Sequence, residues 1–320
     1  MLRLLLAACL TLATTVLAPP ARALDRVTFG LDWLAEAEYG GYYQAIATGI
    51  YAKHGLDVTI RQGGPQANQT QLLLAGSLDF IITGNAFLTL NLAQEDLPFS
   101  TVAAMFQRDP TVLISHPNTG HDSFESLRGQ PIMIGAATRT SWWTFLSRKY
   151  GYTDAQIRPY TFNLAPFLAD KNAIQQGYLG SEPFAIKQQG GFEPVVLLLA
   201  DAGFDGYASL ITTSNRLIGQ NPDLIQRFID ASIEGWASYL DTDPAPGNAL
   251  IKQANPDMSD ELLAYGRTVL KSRGIVQSGD GIAAMTDARW SAFTRAVQAE
   301  GLYPPTLDWH RAVNLRFVKK

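Results

Sequence analysis

The sequence of 320 residues contains a single cysteine, Cys9, which lies in the apolar N-terminal stretch. We predict below that this stretch is removed, so the mature chain has no cysteine. Such a chain cannot form disulfides and offers neither a thiol nucleophile nor thiolate ligands for zinc or an iron–sulfur cluster.

Patterns typical of metal sites and hydrolytic enzymes are also missing. The four histidines are scattered, without the H-x-x-x-H or H-E-x-x-H spacing of zinc sites. There is no G-x-S-x-G elbow, and the glycine pairs lack the lysine and hydroxyl order of a phosphate-binding loop. These absences favour a protein that binds without turnover, and we expect no metal and no cofactor.

The charge balance gives no support to nucleic-acid binding. The formal net charge is −4, so the chain has no basic surplus to attract a phosphate backbone. By contrast, aromatic residues are plentiful, with six Trp and twelve Tyr. Several of them occupy loop-like positions, where aromatic rings need a reason other than core packing.

The N-terminus has the features of a cleavable signal peptide. Arg3 precedes a mostly apolar run over residues 4–18, and a small-residue pattern ends at Ala23. The run is shorter than the roughly 18 to 20 residues that span a bilayer, and no second apolar span follows. We therefore predict a signal peptide over residues 1–23 and a soluble periplasmic product. Residues 6–9 match a lipid-attachment motif that ends at Cys9. Only five residues precede this motif, whereas the apolar region of a signal peptide needs about 7 to 15. We therefore do not favour a lipoprotein.

Strand-like and helix-like segments alternate through the first two thirds of the chain. Apolar stretches over 27–31 and 78–83 have the character of buried strands, and 40–52 has helical periodicity. From Pro222 onwards all periodic segments predict helices. The pattern predicts an α/β protein with two lobes, each a mostly parallel sheet flanked by helices, and a C-terminal helical segment.

Two interruptions, near 108–110 and 202–205, mark where the chain would cross between the lobes. We predict that residues 24–108 together with 204–320 form the first lobe, and that 109–203 form the second. Two lobes joined in this way are typical of a protein that closes on a ligand in the cleft.

The first lobe offers aromatic site candidates where its first strand leads into a helix, the end of a parallel sheet at which ligands bind. Trp33, Tyr39 and Tyr42 lie in or beside this loop, whereas Tyr43 fits the apolar face of the helix and is expected in the core. Asn85 begins a later helix, where it could cap the helix or bind the ligand.

The second lobe offers a helix start and a loop acid. Thr140 and Ser141 precede a helix, where they could act as caps or the helix N-terminus could receive a polar ligand group. Trp142 and, from the second crossing, Tyr207 could add apolar walls to the cleft. Glu182 could accept hydrogen bonds from an amino-bearing ligand.

Four stretches resemble the periplasmic substrate-binding proteins of ABC importers that are related to thiamine-pyrimidine synthase: residues 31–60, 76–85, 124–135 and 181–183. The resemblance implies the type II periplasmic-binding-protein fold, a permease partner in the inner membrane and a small-molecule ligand; we expect a monomer. Cargo in that family includes thiamine-pyrimidine precursors, riboflavin, alkanesulfonates, nitrate and aromatic acids.

The side chains favour one part of that cargo range. More rings than cations occupy the loops expected to face the cleft, and stacking contributes roughly 1 to 3 kcal/mol per ring for a planar ligand. We therefore predict a small planar heteroaromatic ligand, such as a thiamine-pyrimidine precursor. Alkanesulfonate, nitrate or an aromatic acid is the alternative, and would depend on cations and helix N-termini.

The synthase of the same fold branch resembles this chain less closely. Its first-loop pattern resembles L-D-W-x-P-N-x-x-H-x-G, but Tyr39 stands at the histidine and Ala35-Glu36 replace Pro-Asn. Its cysteine-rich segment is absent as well. We therefore do not predict an enzyme.

Overall fold

A computed structural model describes residues 23–64 and 67–318. The first part of the chain alternates strands and helices, as the sequence predicts. The predicted single helix over 40–52 is broken, because Gly49 takes a left-handed conformation (φ +72°) that ends one helix and starts a shorter one. The elements are β1 (Asp25–Gly30), α1 (Gly40–Ala47), α2 (Ile50–Lys53), β2 (Leu56–Arg61), α3 (Gln69–Leu74), β3 (Phe80–Asn85), α4 (Ala86–Gln94) and β4 (Phe99–Phe106).

The middle of the chain builds a second set of strands and helices. Its elements are β5 (Thr111–Ser115), β6 (Ile132–Ile134), α5 (Trp142–Tyr150), β7 (Ile157–Pro159), α6 (Ala165–Ala169), β8 (Ile174–Tyr178), α7 (Glu182–Gly190) and β9 (Val195–Leu198).

The last part is mostly helical. A two-stranded hairpin over residues 277–282 is present where the sequence predicts only helices. The elements are β10 (Ala208–Ser214), α8 (Asn215–Gln220), α9 (Pro222–Asp241), α10 (Ala245–Ala254), α11 (Asp260–Ser272), β11 (Gln277–Ser278), β12 (Gly281–Ile282) and α12 (Asp287–Ala299).

Two five-stranded sheets carry the fold. The first has the order β2-β1-β3-β10-β4 and the second the order β7-β6-β8-β5-β9. Four strands of each sheet run in one direction, and the fifth, β10 in the first sheet and β5 in the second, is antiparallel to both its neighbours. Both sheets are thus mixed but mostly parallel, as the sequence predicts, because only the strand by which the chain enters each sheet from the other one runs against the remaining four.

The chain passes between the sheets twice, over residues 107–110 and again over 199–207. The lobe boundaries predicted from the sequence fall within these connections. That each part moves as a separate lobe remains a prediction.

Helix α1 packs closely against α9. A methyl group at Gly41 would lie 2.2 Å from Cγ of Trp236, so only glycine permits this approach. The neighbouring Tyr42 is fully buried, with its ring 4.8 Å from that of Phe29 in an edge-to-face contact. The helix is therefore fixed to the core on one side, and the loop before it faces the space between the sheets.

The predicted signal peptide lies almost wholly outside the described residues. Within the described part of the chain, no helix combines the length and the hydropathy needed to span a membrane.

Candidate functional site

A cavity of about 720 Å³, called the central cavity here, opens between the two sheets. Loops following β1 and β6 line it, as do the ends of β3 and β8 and the start of α7. Ligand sites in α/β proteins form outside the carboxyl ends of parallel strands, and both sheets present such ends here. The lining residues used below are Asp32, Trp33, Glu36, Tyr39, Thr140, Phe162, Tyr178 and Glu182.

Hydrogen bonds hold the loop that carries Trp33 in place. The Trp33 carbonyl accepts from the Gly63 amide at 2.9 Å, and the Ala35 amide donates to Oε1 of Gln62 at 2.6 Å. Nδ2 of Asn255 donates to the Ala35 carbonyl at 2.8 Å. Two separate parts of the chain, residues 62–63 and Asn255, therefore hold the backbone that carries the indole.

Trp33 meets Phe162 across the cavity. Their ring centroids are 4.2 Å apart, with the planes inclined by 48°, and Phe162 also contacts Tyr160 at 4.7 Å. Phe162 has a φ of +58°, a left-handed conformation that a bulky side chain adopts only under constraint. A second contact between the two sides is the hydrogen bond of 3.2 Å from Nδ2 of Asn91 to the Thr140 carbonyl.

Glu182 begins α7 and is held by several donors. Its Oε2 accepts from the Tyr178 amide at 2.7 Å and from the Ser181 hydroxyl at 2.8 Å, and Oε1 accepts from the Tyr160 hydroxyl at 3.4 Å. Burial raises the pKa of Glu182, and these hydrogen bonds oppose the rise because they favour the ionised form.

Three further carboxyl groups come from the loop between β1 and α1. Burial raises the pKa of Asp32 to about 6, although the Tyr39 hydroxyl donates to its Oδ1 at 2.7 Å. Burial likewise raises the pKa of Glu38 to about 7. The pKa of Glu36 rises well above its ordinary value through burial and through the charges of Glu38 and Glu182. The central cavity therefore has a strongly acidic region.

No Lys, Arg or His side chain appears among the described residues that line the central cavity. The described residues also contain no group of three or more His, Cys, Asp or Glu side chains placed to hold a metal ion.

Four of the nine site residues predicted from the sequence line this cavity together: Trp33, Tyr39, Thr140 and Glu182. The hydroxyl of Tyr39 donates a hydrogen bond to Asp32, another residue of the lining. Two of the four come from each side of the cavity.

The remaining five, Tyr42, Asn85, Ser141, Trp142 and Tyr207, are buried and are not part of the lining. Tyr42 packs on Phe29, and Trp142 lies in the core with only 3% of its surface exposed. Tyr207 is also buried, and its hydroxyl accepts from the Thr286 amide at 3.1 Å.

Asn85 and Ser141 are engaged locally. Oδ1 of Asn85 caps α4 by accepting from the Leu88 amide at 3.2 Å. The Ser141 hydroxyl donates to the Thr138 carbonyl at 3.2 Å. Of the two roles that the sequence leaves open for Asn85, the structure shows the cap.

Sequence reasoning did not single out Phe162, Tyr178, Asp32 or Glu36 as site residues. Asp32 and Glu36 lie in the same loop as Trp33, so their position in the sequence could have indicated that they line the cavity with it. Phe162 and Tyr178 carry no local signal, because their place in the cavity depends on how β7 and β8 sit in the second sheet.

Two α/β sheets, joined by two crossings around a shared cavity, are the architecture of the periplasmic-binding-protein fold. The aliphatic sulphonate binding protein SsuA from Escherichia coli has this fold, with a TM-score of 0.66 and 13% identity over 92% of this chain and 94% of that chain. The ligand binding component of an ABC-type import system from Staphylococcus aureus gives 0.64 and 13% over 92% and 97%. The desulfurization enzyme DSZB also resembles it, with a TM-score of 0.56 and 14% identity over 92% of this chain and 97% of that one. At these identities the likeness establishes the fold alone, and it confirms the predicted fold class.

The family follows from the sequence itself. The family model described as NMT1/THI5 like matches residues 36–245. The chain therefore belongs to the NMT1/THI5-like family, which confirms the resemblance noted above. The riboflavin-binding protein RibY from Chloroflexus aurantiacus is 29% identical over 322 residues, covering 95% of this chain and 90% of RibY.

Proposed function

We propose that this protein is the solute-binding component of an ABC-type importer and that it holds a small planar heteroaromatic molecule in the central cavity. The observation that carries this proposal is the lining, in which the rings of Trp33, Phe162 and Tyr178 accompany carboxyl groups without a basic side chain among the described residues. Thiamine-pyrimidine precursors and flavins both match this description.

The size and walls of the cavity suit such a ligand. A volume of about 720 Å³ falls within the range of roughly 300 to 1,000 Å³ common for small-molecule sites. A ring inserted between two others needs a centroid separation of about 7 Å, twice the usual contact distance between carbon atoms. Because Trp33 and Phe162 are 4.2 Å apart, we propose that they close over the ligand rather than enclose its ring between them.

The charge of the lining argues against anionic cargo. Sulfonate, nitrate and carboxylate ligands need cations or clustered amide donors, and the described lining has acidic side chains instead. This favours a neutral or positively charged ligand over the sulfonate alternative. The similarity to RibY, whose name states that it binds riboflavin, supports a heteroaromatic ligand.

We propose that the ligand leaves the protein unaltered. Tyr39 stands where the synthase pattern has histidine, and its hydroxyl is held by Asp32 at 2.7 Å. Incubation of the protein with each ligand, followed by mass spectrometry, tests this directly. A new product mass that requires the protein would identify an enzyme.

We further propose that the protein acts outside the cytoplasmic membrane, as a monomer that delivers its ligand to an inner-membrane permease. The lobes would be residues 24–108 with 204–320, and residues 109–203. Closure about the crossings would bury the ligand against Trp33 on one side and Glu182 on the other.

The deciding experiment is a thermal-shift screen followed by isothermal titration with riboflavin, 4-amino-5-hydroxymethyl-2-methylpyrimidine, an alkanesulfonate and nitrate. We expect at least one planar compound to stabilise the protein and neither anion to do so. Binding of the anions alone, or of none of the planar compounds, would overturn the proposal.

A further inference from the structure

The acidic region of the central cavity contains a carboxyl group that has no hydrogen-bond or ion-pair partner in the described part of the chain. Glu36 lines the cavity and is only half-buried, and its side chain forms no hydrogen bond or ion pair with the described residues. Glu182 lies close enough for its charge to raise the pKa of Glu36. The two belong to opposite sides of the cavity, Glu36 to the loop after β1 and Glu182 to the start of α7.

Glu182 is arranged as an acceptor. The Tyr178 amide and the Ser181 hydroxyl both donate to Oε2, at 2.7 and 2.8 Å. Oε1 has only the longer bond of 3.4 Å from the Tyr160 hydroxyl. A carboxylate oriented in this way keeps capacity to accept from a ligand, because each oxygen can accept two hydrogen bonds.

Glu38, in the same loop as Glu36, adds a third carboxyl group next to the cavity lining. Only 3% of its surface is exposed, and its Oε1 has no hydrogen-bond partner among the described residues. It interacts with both Glu36 and Glu182 through its charge. A buried carboxylate without a partner costs several kcal/mol unless a proton or a cation neutralises it.

A basic side chain of the lining cannot neutralise these carboxyl groups, because none of the described lining residues is Lys, Arg or His. The aromatic faces of Trp33, Phe162 and Tyr178 line the same cavity, and such faces attract cations electrostatically. The carboxyl groups and the aromatic rings of the lining thus both favour a positively charged ligand.

We infer that the central cavity takes its planar ligand in a positively charged form, as an aromatic or heteroaromatic amine whose protonated nitrogen binds Glu36 and Glu182. This inference rests on the proposed function and narrows it to one charge class of ligand. The ligand would then donate a charge-assisted hydrogen bond to each carboxylate, and so supply the partner that Glu36 does not have among the described residues.

A charge series on one pyrimidine ring tests the inference. The probes are 2-methylpyrimidin-4-amines that carry aminomethyl, hydroxymethyl or carboxyl at C5, which are cationic, neutral and anionic at pH 7.5. By isothermal titration we expect the aminomethyl compound to bind at least tenfold more tightly than the hydroxymethyl compound, and the carboxylate not to bind.

Variants assign the preference to named residues. Glu36→Gln and Glu182→Gln keep the side-chain shape and remove the charge. Each should weaken binding of the aminomethyl compound at least fivefold more than it weakens binding of the hydroxymethyl compound. Glu300→Gln, an exposed carboxyl group at the end of α12, is the matched control and should change neither.

The outcomes separate this inference from the proposed function. Equal or tighter binding of the hydroxymethyl or carboxyl compound overturns the charge preference alone. Binding of neutral riboflavin without any of the three pyrimidines also overturns it, while the proposed function stands. If no planar compound binds, the proposed function itself is wrong.

Discussion

The indole of Trp33 and the ring of Phe162 touch across the central cavity, with their centroids 4.2 Å apart. One ring follows the first strand of the first sheet, and the other lies beyond β7 at the edge of the second. The pair links two parts of the chain that are also joined through the crossings and through the hydrogen bond from Asn91 to Thr140, so its contact depends on how the two sheets sit relative to each other.

Removing either ring tests the role of this pair. We expect Trp33→Ala and Phe162→Ala each to lower the affinity for a planar ligand about 5- to 100-fold, since loss of a stacking face costs roughly 1 to 3 kcal/mol. Isothermal titration with a ligand found in the screen measures this. Phe192→Ala, which removes a ring stacked on His116 and outside the cavity lining, serves as the control. Unchanged affinity in both test variants would show that the pair does not bind the ligand.

The carboxyl groups predict how stability depends on pH. The folded-state pKa is about 6 for Asp32 and about 7 for Glu38, above the ordinary values of 3.8 and 4.5, and burial is the main cause. Between about pH 4 and pH 7 the folded protein keeps protons that the unfolded chain has lost. Its free energy of unfolding therefore falls as pH rises through that window, by about 3 kcal/mol per group.

Melting of the ligand-free protein between pH 5 and pH 7.5 measures this effect. Glu36, Glu182 and Tyr39 face the same region, so the comparison of variants matters more than the absolute slope. We expect Glu38→Gln to lose less stability than the wild type over this range, by about 4 °C in Tm. Parallel curves would mean that Glu38 ionises in the folded protein as it does in the unfolded chain.

The close approach of α1 and α9 predicts a large effect from one methyl group. In Gly41→Ala the new Cβ would lie 2.2 Å from Cγ of Trp236, and relief of such a clash costs about 1 to 3 kcal/mol. Gly219→Ala in α8 is the matched control, because nothing lies within 4 Å of its Cβ position. There alanine should stabilise the helix by about 0.5 to 1 kcal/mol. Urea denaturation compares the two, and equal effects would contradict the packing described here.

Tyr207 separates a structural role from a binding role. Its hydroxyl accepts from the Thr286 amide at 3.1 Å, and the guanidinium of Arg289 lies 4.1 Å from its ring centroid. We expect Tyr207→Phe to lower the free energy of unfolding by about 0.5 to 1.5 kcal/mol, because one hydrogen bond is lost. Ligand affinity should stay within twofold. A tenfold loss of affinity without loss of stability would place this hydroxyl in the binding site.

Local patterns in the sequence account for much of the fold. The apolar stretch over 78–83 predicts a buried strand and overlaps β3, and the periodic segments from Pro222 onwards predict helices, the first of which overlaps α9. Such signals are visible because they depend on neighbours along the chain. The strand order was not predictable in the same way, since β10 enters between β3 and β4 from more than 100 residues away.

The residues of the candidate site also differ in whether local sequence or tertiary contacts decide their position. Trp33 and Glu182 were recognisable from the sequence, because a loop after a strand and a family pattern are both local. Tyr42 stands only nine residues from Trp33, yet α9 and Phe29 enclose it in the core.

The sequence alone therefore determined the family of the protein, the alternation of its strands and helices, and the presence of aromatic and acidic residues in its loops. Only the tertiary structure decided which of those rings and acids share one cavity, as Trp33 and Phe162 do. The physical reason is that burial and charge interactions act through space, so they depend on contacts between segments far apart in the chain.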